Sequence, residues 1–216
     1  MKAAPSSCLR AGPCLLVLVL LAACGDRIAP MPPPVRVTQA DQPAAPPQAP
    51  DTGTMGAGPD TSTMGAAPSV PSCGIATMPQ EILQRVNAAR AGGRRCGGRT
   101  MPPAGPLSWD SQLLSAAASH SQDMARRNYF DHRSPEGVMV SQRASASRYK
   151  WKSVGENIAG GDTSVNTVVN GWLDSPTHCE NMMDGGYQDI AVACVQQPGT
   201  QWGTYWTMVL GRKQGR

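Results

Sequence analysis

His132, Glu156 and His178 are the residues of this chain whose types could together do chemistry. Two imidazoles and a carboxylate make a three-ligand set for a divalent ion with an open position, Zn²⁺ being the usual match. The same groups can serve as a general base and the acid that orients it. No His-Glu-x-x-His run ties them together, so their spacing carries no local metal motif. Each stands at an element end. Glu156 lies between glycines in 155–161, which predicts a tight turn after a strand-like run through Tyr149, Trp151 and Val154. His132 follows a helix in Tyr129-Phe130-Asp131-His132. His178 follows Ser175-Pro176, a helix start with Ser175 as N-cap and Pro176 in the first position. In that first turn the helix dipole favours the neutral imidazole that a base or ligand needs. His120 reads instead as a hydrogen-bonded packing residue at the edge of a helix face.

The elements that must position these residues follow from hydrophobic period. A first helix opens on a capping box of Thr77 with Gln80, carries Ile82, Leu83, Val86 and Ala89 on one face, and ends at Gly92-Gly93. Residues 97–106 read as loop. A second helix starts after Ser108 or Asp110 and runs to about Asn128, with Leu113, Ala117, Ser121 and Met124 along one side. A third covers 138–147. Thr163 or Ser164 caps a fourth, with Val165, Val168, Val169 and Trp172 at helical spacing. Residues 190–195 and 205–210 are short runs of β-formers, apolar on both faces, and read as a hairpin with helices on either side. The expected fold is α/β, a three-layer α/β/α sandwich occupying residues 73–216 as one domain.

The first third of the chain speaks of export. Lys2 and Arg10 precede an unbroken apolar run over 15–21, too short to span a bilayer, and small residues precede Cys24. This stretch resembles a bacterial lipoprotein signal, with 1–23 removed and Cys24 acylated. Several acyl chains on Cys24 would anchor the chain stably in a membrane. Gly25 stands where Asp would favour inner-membrane retention, so the outer membrane is expected. Residues 24–72 are rich in Pro, Ala and Gly and contain a near-duplicate, DTGTMGAGP at 51–59 and DTSTMGAAP at 60–68. So polar a repeat cannot bury a core, and the segment reads as a disordered tether. Its roughly 48 residues would span about 40 Å on average.

The net charge of +4 comes from scattered basic residues, which excludes the Lys/Arg stripe of a nucleic-acid-binding surface. Of seven cysteines, Cys8 and Cys14 leave with the signal and Cys24 carries lipid, leaving Cys73, Cys96, Cys179 and Cys194. An even remainder in an oxidising compartment reads as two disulfides. Local spacing favours Cys73–Cys96 and Cys179–Cys194, although four cysteines allow three connectivities.

Five segments, taken in order, carry a resemblance. They are His120-Ser121-Gln122-Asp123-Met124-Ala125; Phe130-Asp131-His132 with Ser134-Pro135-Glu136-Gly137; Gly155-Glu156-Asn157-Ile158-Ala159; Trp172-Leu173-Asp174-Ser175-Pro176-Thr177-His178; and Tyr205-Trp206-Thr207-Met208-Val209-Leu210-Gly211. Across about residues 75–211 the chain resembles the bacterial branch of the CAP superfamily (cysteine-rich secretory proteins, antigen 5, pathogenesis-related 1; SCP-like extracellular proteins). The resemblance implies an α/β/α sandwich whose central cleft holds a His/Glu cluster, which in some members binds a divalent metal. His132 then matches the first His, Glu156 the Glu of the Gly-Glu-Asn segment, and His178 the His of the bacterial Ser-Pro-Gly-His segment. Tyr205-Trp206-Thr207-Met208 stands where eukaryotic members have His-Tyr-Thr-Gln, so that His is absent. Asp174 is the residue nearest the family's second acid.

The leading expectation is a lipid-anchored envelope protein whose cleft, lined by His132, Glu156 and His178, binds a small molecule, lipid or peptide, with or without Zn²⁺ or another divalent ion. A secreted, peptidase-like hydrolase is the alternative, with His178 as base and Glu156 orienting it or bound metal activating water. A surface spacer without cleft activity is a third.

Overall fold

The computed structural model describes residues 33, 35–38 and 70–215. The expected signal, Cys24 and most of the tether lie outside the described residues. The described elements run β1 (Val35–Thr38), α1 (Met78–Gly92), β2 (Arg94–Cys96), β3 (Arg99–Met101), β4 (Ser108–Trp109), α2 (Ser111–Arg127), α3 (Val140–Ala146), β5 (Trp151–Gly160), α4 (Val165–Asp174), α5 (Pro176–Met183), β6 (Asp189–Gln196) and β7 (Thr204–Lys213).

Five strands form one sheet in the order β1-β5-β7-β6-β4. The β6–β7 hairpin and the β5–β7 pair are antiparallel, and only the short β4 runs parallel to its neighbour β6. Side chains alternate across a strand, so β6 and β7 feed two cores at once. Ile190, Val192, Trp206, Met208 and Leu210 meet Ile82, Val86, Val168, Trp172 and Met182 of α1, α4 and α5. Ala191, Ala193 and Val209 meet Leu113, Ala117, Val140 and Ala144 of α2 and α3. The small side chains of Ala191 and Ala193 let α2 lie close on that face. This is the three-layer α/β/α sandwich.

Local capping follows the sequence closely at α2, where the Asp110 carboxylate accepts from Gln112 N at 2.8 Å and Leu113 N at 3.0 Å. At the other end Asn128 takes the left-handed conformation, φ 51°. Ser164 caps α4 through Thr167 N. Arg90, which the hydrophobic pattern of α1 passes over, is 1% exposed. Its guanidinium donates to the carbonyls of Gly105, Met182 and Asp184, tying α1 to the α5–β6 connection.

Four expectations are corrected. The disulfides are Cys73–Cys194 and Cys96–Cys179 rather than the local pairs. Between Cys73 and Cys96 lies α1, about 22 Å of helix, and the two cysteines leave its opposite ends toward different neighbours. Cys73 instead lies against the end of β6, its N–H donating to Cys194 O at 3.1 Å. Cys96 of the β2–β3 hairpin packs on Cys179 of α5 with Met101 and Met183.

The expected loop over 97–106 contains β3, which closes that hairpin. Residues 35–38, expected in a disordered tether, form β1 and pair antiparallel with Ser153–Glu156 of β5.

Finally, Gly155-Glu156-Asn157 is not a turn but the middle of β5, all three residues pairing with β7 and the first two also with β1. Among its glycines only Gly161, just past the strand, has a positive φ. Gly155 is required by close packing, since a Cβ there would fall 2.4 Å from the Tyr187 hydroxyl and 2.8 Å from Asn181 Oδ1.

Candidate functional site

Because Glu156 and Asn157 are neighbours in a strand, they point to opposite faces of the sheet. Glu156, fully buried, turns toward α2 and α3. Its Oε1 accepts from His132 Nδ1 at 2.8 Å, and its Oε2 accepts from Arg143 Nη2 at 2.7 Å. His120 Nε2 lies 3.7 Å from Oε1 and donates to the Asp131 carbonyl at 2.9 Å. Arg143 also donates to the carbonyls of Val138 and His132, at 2.9 and 3.0 Å, so one guanidinium locks the carboxylate and the segment that carries His132.

Asn157 turns the other way. Its Nδ2 donates to the His178 carbonyl at 3.2 Å, and its Oδ1 accepts from Asn181 Nδ2 at 2.8 Å. α5 therefore lies on the opposite face from Glu156. His178 is buried there with Nδ1 2.7 Å from Ser175 Oγ. That contact takes the Ser175 hydroxyl, which makes no side-chain cap bond to α5.

Of the three residues singled out by type, the fold thus joins His132 to Glu156 and sets His178 on another face. Glu156 orients His132, not His178. Asp174 is exposed at the end of α4 and joins neither group. The cluster gains two members that residue spacing did not assign to it, His120 and Arg143. The signal for Arg143 was its place in α3, one residue before Ala144 on a buried face, where a cation needs a counter-charge. His120 is the packing residue expected from α2, with a carbonyl partner, and it also faces the carboxylate.

The donor set as arranged does not fit a metal ion. Both Glu156 oxygens are committed, one of them to a fixed cation, and among the described residues no three of His, Cys, Asp and Glu converge as ligands.

Hydrogen-bond polarity sets the rings. Nδ1 of His132 donates to a carboxylate, so the neutral ring carries its lone pair at Nε2. Nε2 of His120 donates to a carbonyl, which leaves its lone pair at Nδ1. A cavity of about 160 Å³ opens beside the cluster, lined by His120, Asp123, Ser134, Glu136 and Arg143.

Burial pulls the His120 imidazole down to about 4, against the opposing pull of Glu156 and with the Arg143 and His132 charges assisting. Burial pushes Glu156 up, but the charges of His120, protonated at such low pH, and of Arg143, with the His132 hydrogen bond, hold it at about 2. Between pH 6.5 and 4 the unfolded chain binds a proton at this histidine and the native state does not, so stability falls as pH falls. The His120 shift from 6.5 to about 4 corresponds to about 3 kcal/mol. Below about 4.5, protonation of the unfolded Glu156 continues the loss down to about 2. Chemical unfolding at pH 7.5 and 4.5 is expected to show this slope in the native chain and a much flatter one in His120→Asn. Equal slopes would remove His120 as the cause.

A sandwich with a buried Glu–His–Arg cluster on β5, beside the middle strand β7, and built around a Gly-Glu-Asn segment, defines a class of α/β/α domain. Residues 83–210 match the Cysteine-rich secretory protein family, CAP, and the chain belongs to that family.

In Bacillus subtilis, the uncharacterized protein YkwD is 34% identical over 102 residues, which are 47% of this chain and 38% of that protein. The uncharacterized membrane protein YlbC of the same organism is 30% identical over 95 residues, 44% of this chain and 28% of that protein. These matches cover about a third of the relatives' own lengths.

A solved extracellular protein containing an SCP domain, from Bacillus anthracis, has a TM-score of 0.52 at 26% identity over 63% of this chain and 40% of its own. An outer surface protein of Borrelia burgdorferi has a TM-score of 0.50 at 18% identity over 62% and 89%, a likeness of fold alone.

Proposed function

We propose that this chain is an exported, lipid-anchored envelope protein whose CAP domain binds a ligand or partner at the cavity beside the buried Glu156 cluster, without a metal. The observation that carries the reading is the double commitment of Glu156 to His132 and Arg143. A carboxylate so engaged is a rigid, charged support for neighbouring groups, and the Arg143 guanidinium already supplies the positive charge that a divalent ion would bring. The adjacent cavity of about 160 Å³ is smaller than the 300 Å³ or more of sites for drug-sized molecules. It suits a single polar side chain or small group presented by a larger partner.

Export and anchoring are supported by the Cys24 signal, and export also by an extracellular protein among the similar structures. The outer membrane is the expected site, from Gly25. With β1 docked, only residues 25–34 separate Cys24 from the sheet, a reach of at most about 35 Å. The domain would then sit close to its membrane.

Titration of Zn²⁺ into the purified full chain tests the metal-free reading. No stoichiometric uptake is expected. Uptake of about one equivalent that is lost in Glu156→Gln would overturn it. Cys24→Ser is expected to move the chain from the membrane to the soluble fraction.

A hydrolase reading draws on one specific geometry, the Glu156 carboxylate holding His132 with its lone pair at Nε2, the arrangement of an oriented general base. Peptide or ester turnover that His132→Ala abolishes in a folded chain would favour it over binding.

A further inference from the structure

β1 lies apart from the rest of the domain in sequence. Thirty-one residues, 39–69, separate Thr38 from Val70, yet Val35–Thr38 adds to the sheet as its outermost strand. It covers the backbone edge of β5 at Ser153–Glu156, the segment that carries the buried carboxylate, with Val35 opposite Glu156 and Arg36 opposite Gly155. Without β1, those backbone groups would form an open sheet edge, which accepts extended chains by main-chain hydrogen bonding.

A side-chain contact selects what lies there. The Arg36 guanidinium donates to the Asp184 carboxylate and lies over the Tyr187 ring, 5.3 Å from its centroid. Gly186 makes room for it, since a Cβ there would come within 3.3 Å of Arg36 Nη2. Asp184 in turn accepts from Gly186 N at 2.7 Å, so the acceptor is oriented by its own turn. Beyond Arg36 a cavity of about 530 Å³ continues along α5 and the β2–β3 hairpin, lined by Asp184, Asn181, Glu180, Thr177 and Met101. That volume lies in the range that holds a ligand segment.

We propose that the β5 edge with Asp184 and Tyr187 is a strand-accepting peptide site, that β1 is its occupant in cis, and that its ligands are extended peptides carrying an arginine or lysine at the Arg36 position. The backbone of Ser153–Glu156 supplies affinity regardless of sequence, and Asp184 with the Tyr187 face supplies the preference for a cation. Because β1 belongs to the same chain, a peptide in trans competes only when it is abundant, tighter, or presented when β1 is withdrawn. The site is separate from the His120–Arg143 cavity and does not depend on the binding role proposed for it.

The test uses the full chain and a fluorescent peptide of residues 33–39, PPVRVTQ. Arg36→Pro with Val37→Pro removes β1 from the sheet, because one of two adjacent residues in an antiparallel strand must donate to its partner, and it also removes the Arg36 contact. This variant is expected to bind the peptide at least about tenfold more tightly than the intact chain, a difference of about 1.4 kcal/mol. The peptide with Arg36→Glu, or an added Asp184→Asn in the protein, is expected to lose about tenfold again. A folded proline variant that takes up no peptide, or takes the Arg36→Glu peptide equally well, overturns the proposal.

The intact chain provides an independent readout if the variant does not fold. Millimolar peptide is expected to accelerate hydrogen exchange at the amides of 35–38 while those of 153–156 stay protected. Unchanged exchange at 35–38 with saturating peptide also overturns it.

Discussion

Arg143→Ala is expected to destabilise the domain by about 3–5 kcal/mol, the cost of stranding a buried charge. Glu156 is fully buried and Arg143 is 6% exposed, so the carboxylate loses its fixed counter-charge, and water entering from the adjacent cavity is a weaker substitute. The substitution removes the donor to Glu156 Oε2 at 2.7 Å and the two donations that hold the Val138 and His132 carbonyls. For a domain of this size the melting temperature should drop by on the order of 10 °C. Adding Glu156→Gln should recover part of the loss, because the neutral amide no longer needs a cation. A double-mutant cycle measures the coupling. A single-mutant cost below about 1 kcal/mol would mean that the pair does not support the fold as described.

Cys73→Ser with Cys194→Ser is the second large effect. The bond closes a separation of 121 residues, for which chain entropy gives an upper value of about 5 kcal/mol, and measured losses of native disulfides run about 2–5. The Cys96–Cys179 bond, with a separation of 83, should contribute slightly less by the same reasoning. The first bond ties the segment before α1 to β6, and the second ties the β2–β3 hairpin after α1 to α5. Peptide mapping under non-reducing conditions should therefore recover Cys73 with Cys194 and Cys96 with Cys179. Urea midpoints of the two double-serine variants measure each contribution. Recovery of Cys73 with Cys96 would contradict the arrangement of α1 directly.

Residue patterning made much of the fold legible. The faces of α1 and α2, the Asp110 and Ser164 caps, the β6–β7 hairpin and the layer order all follow from spacing that repeats locally. The candidate site was half legible. Glu156 stood out by its glycines, but for a different reason from the one that holds. Gly155 is small because Tyr187 and Asn181 pack against it, not because the chain turns there. His178 stood out by its helix start, and nothing local could say that its helix lies on the far face of β5.

His120 and Arg143 illustrate the remaining gap. A charged or titratable residue on an apolar helix face demands a partner, but its own sequence neighbourhood does not name one. The same holds for Arg36, whose partner Asp184 is 148 residues away.

By itself, then, the sequence determined the secondary-structure periods, the family, the even set of four cysteines and the presence of a buried-type Glu and its histidines. Those are properties of local composition and order. Only the tertiary structure decided which cysteines meet, that His132, His120 and Arg143 rather than His178 surround Glu156, and that residues 35–38 return to close the sheet. The physical reason is common to all three. Strand alternation assigns each residue of β5 to one face, but which helix covers that face depends on contacts between segments remote in sequence.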